Sequence, residues 1–102
     1  MTAAVRFLLH AREELTASAE WYEARRPGLG VEFLAEVDEA VGQIGEHPEA
    51  WPLWRADRGY RKRILDRFPY VIFFVIREPT EVDVVAVAHA RRRPGYWVER
   101  VE

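Results

Sequence analysis

At 102 residues, with 49% apolar and 31% charged side chains, the chain fits one compact domain and excludes both a second domain and a disordered polar tract. The absence of cysteine excludes disulfides, thiol nucleophiles and thiolate zinc sites, and it suits a reducing cytoplasm. A net charge of −2 conceals a division: residues 1–51 carry four arginines against ten acids (−6), and residues 52–102 carry eleven cations against seven acids (+4).

Val5, Phe7 and Leu9 alternate with Arg6, Leu8 and His10, which predicts a short first strand. Ala11, Leu15, Ser18/Ala19 and Tyr22 then fall at helical spacing, with Glu13 and Glu14 early and Arg25 and Arg26 late, as the helix dipole favours. Pro27-Gly28 ends that helix. A second carries Phe33/Leu34, Val37, Ala40/Val41 and Ile44 on one stripe, and it stops near Gly45 to His47 because Pro48 disfavours helix at the residue before it. The pair reads as an antiparallel hairpin. Residues 48–59 read as a loop carrying the aromatic anchors Trp51 and Trp54. Tyr60 to Arg67 predicts a charged strand with Arg61, Arg63 and Arg67 on one parity. Tyr70 to Ile76 is apolar on both parities, the pattern of a central, doubly covered strand. Pro79-Thr80 marks the turn into a last strand, Val82 to Ala90, and the tail turns at Pro94-Gly95 to pack Tyr96 or Trp97 back. The order β-α-α-β-β-β predicts a single α+β domain over residues 1–102, an antiparallel-dominated sheet with a helical hairpin on one face.

Several chemistries are already disfavoured. The longest uncharged apolar run, Phe68 to Ile76, is nine residues, less than half a membrane span. The first residues lack a basic region followed by an apolar stretch, so a cytoplasmic protein with no membrane partner is expected. His10, His47 and His89 are scattered, so no metal or other cofactor is expected. Gly28 and Gly30 lack the strand and lysine of a nucleotide loop, and Ser18 has no nearby histidine. Trp21 and Tyr22 fit a helix–sheet core better than a base-stacking platform. The basic second half reads either as a surface for an anionic partner or as solvated strand edges paired with the acidic first half.

The segment Ala19-Glu-Trp-Tyr-Glu23, Pro27-Gly-Leu-Gly30 before Phe33-Leu34, the His47-Pro48 break, Phe68-Pro-Tyr-Val-Ile-Phe73 and the ending Val87-Ala-His-Ala-Arg-Arg-Arg-Pro-Gly-Tyr-Trp97 together resemble the RelE/ParE toxin superfamily. The resemblance covers nearly the whole chain. It implies the toxin half of a bacterial type II toxin–antitoxin module, neutralised by a cognate antitoxin in a hetero-oligomer. Phe68 to Phe73 and the strand ending at His89 are similar to the ParE side, or to the plasmid-stabilisation proteins, which implies growth inhibition through a target such as DNA gyrase. The alternative is a RelE-like endoribonuclease that cuts messenger RNA on the ribosome.

Metal-independent RNA cleavage needs a base for the ribose 2′-hydroxyl, an acid for the leaving oxygen and cations for the phosphorane charge. The candidates are His89, Arg61, Arg63 and Arg91, with Tyr96 beside them. His89 shares parity with Val87 and Arg91, and Arg61 with Arg63, but register decides whether they meet. The other reading bonds His89 to backbone and pairs the arginines with helix glutamates. If the protein acts by binding instead, Arg91, Arg92, Arg93, Tyr96 and Trp97 are the contact residues. Convergence of a base, a proton donor and two cations on one exposed face separates the two mechanisms.

Overall fold

The computed structural model describes residues 2–78 and 80–102. Strand β1 (Ala4–Phe7) runs straight into α1 (Leu9–Arg25), and α2 (Leu29–Glu46) returns beside it. The strands β2 (Leu53–Arg55), β3 (Tyr60–Ile64), β4 (Tyr70–Glu78) and β5 (Glu81–His89) follow, and a short α3 (Val98–Val101) lies near the C-terminus. Together the strands form one sheet in the order β1-β5-β4-β3-β2, with β1 parallel to β5 and every other pairing antiparallel. Central β4 is where its two-sided apolar pattern requires it to be.

Three boundaries differ from the sequence reading. Leu9 opens α1 rather than extending β1, since the Arg12 N–H already bonds to the Leu8 carbonyl at 2.9 Å. The charged strand stops at Ile64 rather than Arg67, because the N–H groups of Asp66 and Arg67 donate to Glu36 of α2 at 2.8 and 3.0 Å and turn the chain. The expected loop holds a 3₁₀ turn at Pro48–Ala50 and then the edge strand β2, whose Leu53 pairs with Arg61. Of the expected Pro79-Thr80 turn, Pro79 lies outside the described residues.

The helix hairpin is tied by a carboxylate from outside the second helix. Glu23 of α1 accepts the N–H of Gly28 at 2.8 Å and of Gly30 at 3.0 Å, so it caps the start of α2 in place of a side chain at Gly28. Gly28 sits at φ +89°, in the left-handed region. At Gly30 a Cβ would lie 2.5 Å from the Ala19 carbonyl oxygen, so only glycine lets the helices approach this closely.

Sheet parity divides the core in two. Ile72 and Phe74 of β4 face the hairpin and pack with Phe33, Val37 and Ile44 of α2. Phe73 and Val75 face the other way and pack with Tyr60, Val85 and Trp97. A bulge in β5 sets Val84 opposite Phe74 and Ala86 opposite Phe73, so Val84 fills one core and Val85 the other. The C-terminal tail thus covers the face the hairpin leaves open. Tyr22, in the hairpin core, packs against Phe33, Phe68 and Tyr70, whereas Trp21, also expected in the core, is exposed with the Arg25 guanidinium 3.8 Å above its ring.

Candidate partner-binding surface

The tail begins where β5 ends. His89 closes the strand opposite Tyr70, their rings 5.1 Å apart edge to face. Its Nδ1 accepts the Arg91 N–H at 3.0 Å while its carbonyl accepts the Arg92 N–H at 3.0 Å. The Ala90 N–H donates to the Pro69 carbonyl at 2.8 Å. These bonds fold residues 90–93 into a turn that projects Arg91, Arg92 and Arg93 into solvent. Among the described residues none of the three meets a carboxylate; Arg92 instead stacks 3.8 Å over the Tyr96 ring.

Past the turn the chain is anchored twice. Trp97 is 0% exposed and sits with its ring centroid 4.7 Å from Tyr60, 4.9 Å from Phe73 and 5.3 Å from Trp54. Gly95 at φ +77° makes the turn into it. The second anchor is Glu14 of α1. Its carboxylate takes two hydrogen bonds from Arg100 at 2.8 and 3.0 Å, one from the Val87 N–H at 2.9 Å and one from the Tyr96 hydroxyl. Burial pushes the Glu14 carboxyl up, but the bonds from Arg100, Tyr96 and Val87 outweigh it and hold the group below the ordinary carboxylate range. Burial, and then the bond to Glu14, drives the Tyr96 phenol well above its ordinary value. Arg100 also donates to the Val85 carbonyl at 3.0 Å, so Glu14 and Arg100 satisfy the β5 edge just beyond the reach of β1.

The candidate residues for RNA chemistry share a sheet face but form no cluster. Arg61 pairs with Phe74, Arg63 with Ile72 and His89 with Tyr70, all on the hairpin side. His89 lies two strands from Arg63, about 10 Å by sheet spacing alone, with the buried side chain of Tyr70 between the strands. Arg61 donates to the carbonyls of Trp51 at 2.7 Å and Glu49 at 3.2 Å. Arg63 holds Gln43 of α2 at 2.9 and 3.3 Å and stacks 4.9 Å from the Trp51 ring. Both arginines therefore brace the 48–51 segment and the end of α2 against β3. Arg91 is exposed beyond the strand end, and Trp97, read as a contact, holds the tail from inside. Among the described residues no three His, Asp or Glu side chains gather as a metal would require.

Sequence reasoning missed Glu14, Arg100 and Lys62. Lys62 lies on the opposite parity from Arg61 and Arg63, on the tail face beside Phe73. The hairpin carries a separate feature, an apolar groove of about 460 Å³ lined by Phe7, Leu15, Val31, Leu34 and Val41, with Val31 67% and Leu34 41% exposed.

An α+β domain with a braced basic tail and an apolar groove on its helical hairpin is the class these features define. Residues 5–94 match the family described as ParE toxin of type II toxin-antitoxin system, parDE, and the chain belongs to that family. That family comprises the toxin components of type II toxin-antitoxin modules. The fold is similar to that of the chromosomal ParDE TA system from P. aeruginosa, with a TM-score of 0.77 and 15% identity over 88% of this chain and 98% of that one. A segment of the threonine–tRNA ligase of Methylobacillus flagellatus is 30% identical over 89 residues, covering 87% of this chain. The chain spans 12% of that ligase's length, so the likeness concerns one stretch of it. Among the described residues no helix is long and apolar enough to cross a membrane.

Proposed function

We propose that this toxin acts in the cytoplasm by binding a large protein target, DNA gyrase being the first candidate, through the exposed arginines of its tail. The observation that carries this reading is the contrast between two sets of cations. Arg91, Arg92 and Arg93 meet no acid among the described residues and are carried on a turn pinned by Trp97 and Glu14. Arg61 and Arg63 are spent on backbone and Gln43, and His89 on the Arg91 N–H. An unpaired basic patch on a braced turn suits recognition, because little backbone order remains to be lost on binding.

The antitoxin takes the hairpin groove, laying apolar side chains against Leu15, Leu34 and Val41 and acids near the basic second half. The resulting hetero-oligomer loosens in moderate salt as the charged contacts are screened. The test is induction of the toxin alone, with DNA supercoiling and messenger RNA integrity followed side by side. Loss of supercoiling with intact messenger RNA is expected, and His89→Asn, which keeps an acceptor for the Arg91 N–H, leaves toxicity within about twofold, since no proton transfer is involved. Purified protein that cuts messenger RNA on ribosomes and loses this with His89→Asn overturns the reading in favour of a nuclease.

A further inference from the structure

Beneath the tail lies a cleft of about 150 Å³, lined on the sheet side by Ile64, Val71 and Phe73 and bordered by Lys62, Arg92 and Arg93. Three observations bear on its occupant. Lys62, like the tail arginines, meets no carboxylate among the described residues although it is half-buried. Trp97 lines the same cleft and is fully buried, yet its indole N–H has no hydrogen-bond partner. Third, the lining is mostly apolar and the volume is half of the roughly 300 Å³ at which small-molecule sites begin. One side chain fits; a nucleotide does not.

The aromatic faces argue the same way. Trp54, Phe73 and Trp97 pack on one another with centroids 4.9 to 5.4 Å apart, and Tyr96 is covered by Arg92 at 3.8 Å. Single-stranded nucleic acid needs free ring faces for its bases to stack. A carboxylate on a short apolar stem needs none. It offers acceptors to the cations and methylenes to the apolar wall.

We propose that this cleft receives one glutamate or aspartate side chain of the target protein, its carboxylate between Lys62 and Arg93 and its stem against Phe73 and Ile64. The inference rests on the tail's being the target-binding face, and it adds the chemistry the target must present: an acidic residue flanked by apolar ones.

The test titrates the isotope-labelled full chain with a capped leucine-glutamate-glutamate-leucine peptide, its glutamine counterpart and a uridine hexamer, following the indole N–H signals. The Trp97 signal is assigned through its proximity to Tyr60 and Phe73. It moves and saturates with the acidic peptide and stays still with the glutamine one. Lys62→Gln and Arg93→Gln each weaken that binding about tenfold, as the loss of one charge-assisted contact requires. A Trp97 signal that stays still with the acidic peptide overturns the proposal, as does tighter binding of the uridine hexamer at this signal, which assigns the cleft to nucleic acid. A parallel gyrase assay separates the two readings. Protein that leaves gyrase untouched yet binds the acidic peptide here keeps the cleft and removes the gyrase assignment. Undiminished gyrase inhibition by Lys62→Gln removes the cleft and keeps the target.

Discussion

Replacing Glu14 with glutamine isolates the anchor that holds the tail. The carboxylate side chain is 18% exposed and that of Arg100 21%, so the pair stands between a surface ion pair, worth at most about 1 kcal/mol, and a fully buried one, whose breakage costs about 3–5 kcal/mol. With its oxygen at the Oε1 position the amide keeps the bonds from the Val87 N–H and Arg100 Nη2, but its NH2 displaces the oxygen that accepts from Arg100 Nη1 and the Tyr96 hydroxyl, and the charge is gone. We expect Glu14→Gln to cost about 2 kcal/mol, the scale of one hydrogen bond to a charged group. For a domain of this size that lowers Tm by about 10 °C, measured by circular dichroism. A double-mutant cycle with Arg100→Met reports a coupling of at least about 1 kcal/mol, because the two side chains act as one unit. Strict additivity, or a loss below about 0.5 kcal/mol, refutes the reasoning and reduces the anchor to a solvated surface pair.

Gly30→Ala forces its Cβ against the Ala19 carbonyl, so the hairpin must open and urea unfolding shifts by about 2 kcal/mol, far beyond the change expected at an open helical glycine. Trp97→Ala empties the centre of the tail-side core and costs about 3–5 kcal/mol; dye binding to the uncovered sheet face rises with it. Stability falls on both sides of neutrality. Asp83 and Glu14, held below their ordinary range by Arg6, Arg77 and Arg100 against the opposing push of burial, contribute stability that is lost as pH drops below about 4. Tyr96 and Tyr60, raised first by burial and then by Glu14 and Glu102, contribute stability that is lost as pH climbs past about 10. Thermal melts across pH check both limbs, and Tyr96→Phe flattens the alkaline one.

Local periodicity carried the fold further than the site. The α2 stripe Phe33, Val37, Ala40 and Ile44 and the two-sided apolar run of β4 are properties of neighbouring residues, so they were readable without knowing what packs on them. Edge strand β2 was not, because three residues between Pro52 and the Asp57 turn leave no alternation to detect. The shared parity of Arg61 and Arg63 was legible, and the register does set them on one face with His89. Parity says nothing of distance across strands, and the two intervening steps of the sheet separate the groups. Glu14 and Arg100 stand 86 residues apart, a pairing no window along the chain contains. The Pro94-Gly95 turn left Tyr96 and Trp97 as equal candidates to pack back, and only the sheet behind them makes Trp97 the plug.

The pairing of β1 with β5 has a temporal consequence. Arg6 meets Asp83 across 77 residues, and Glu14 meets Arg100 across 86, so the ends of the domain are stitched to its beginning. On a ribosome the helical hairpin is free to form early from local contacts, while β1 waits for β5, a partner strand made long after the hairpin. The basic tail docks later still, since Trp97 and Arg100 need β3, β4 and β5 already in place. The hairpin's share of the groove, with Leu15, Leu34 and Val41, is therefore in place before Arg91, Arg92 and Arg93 are braced.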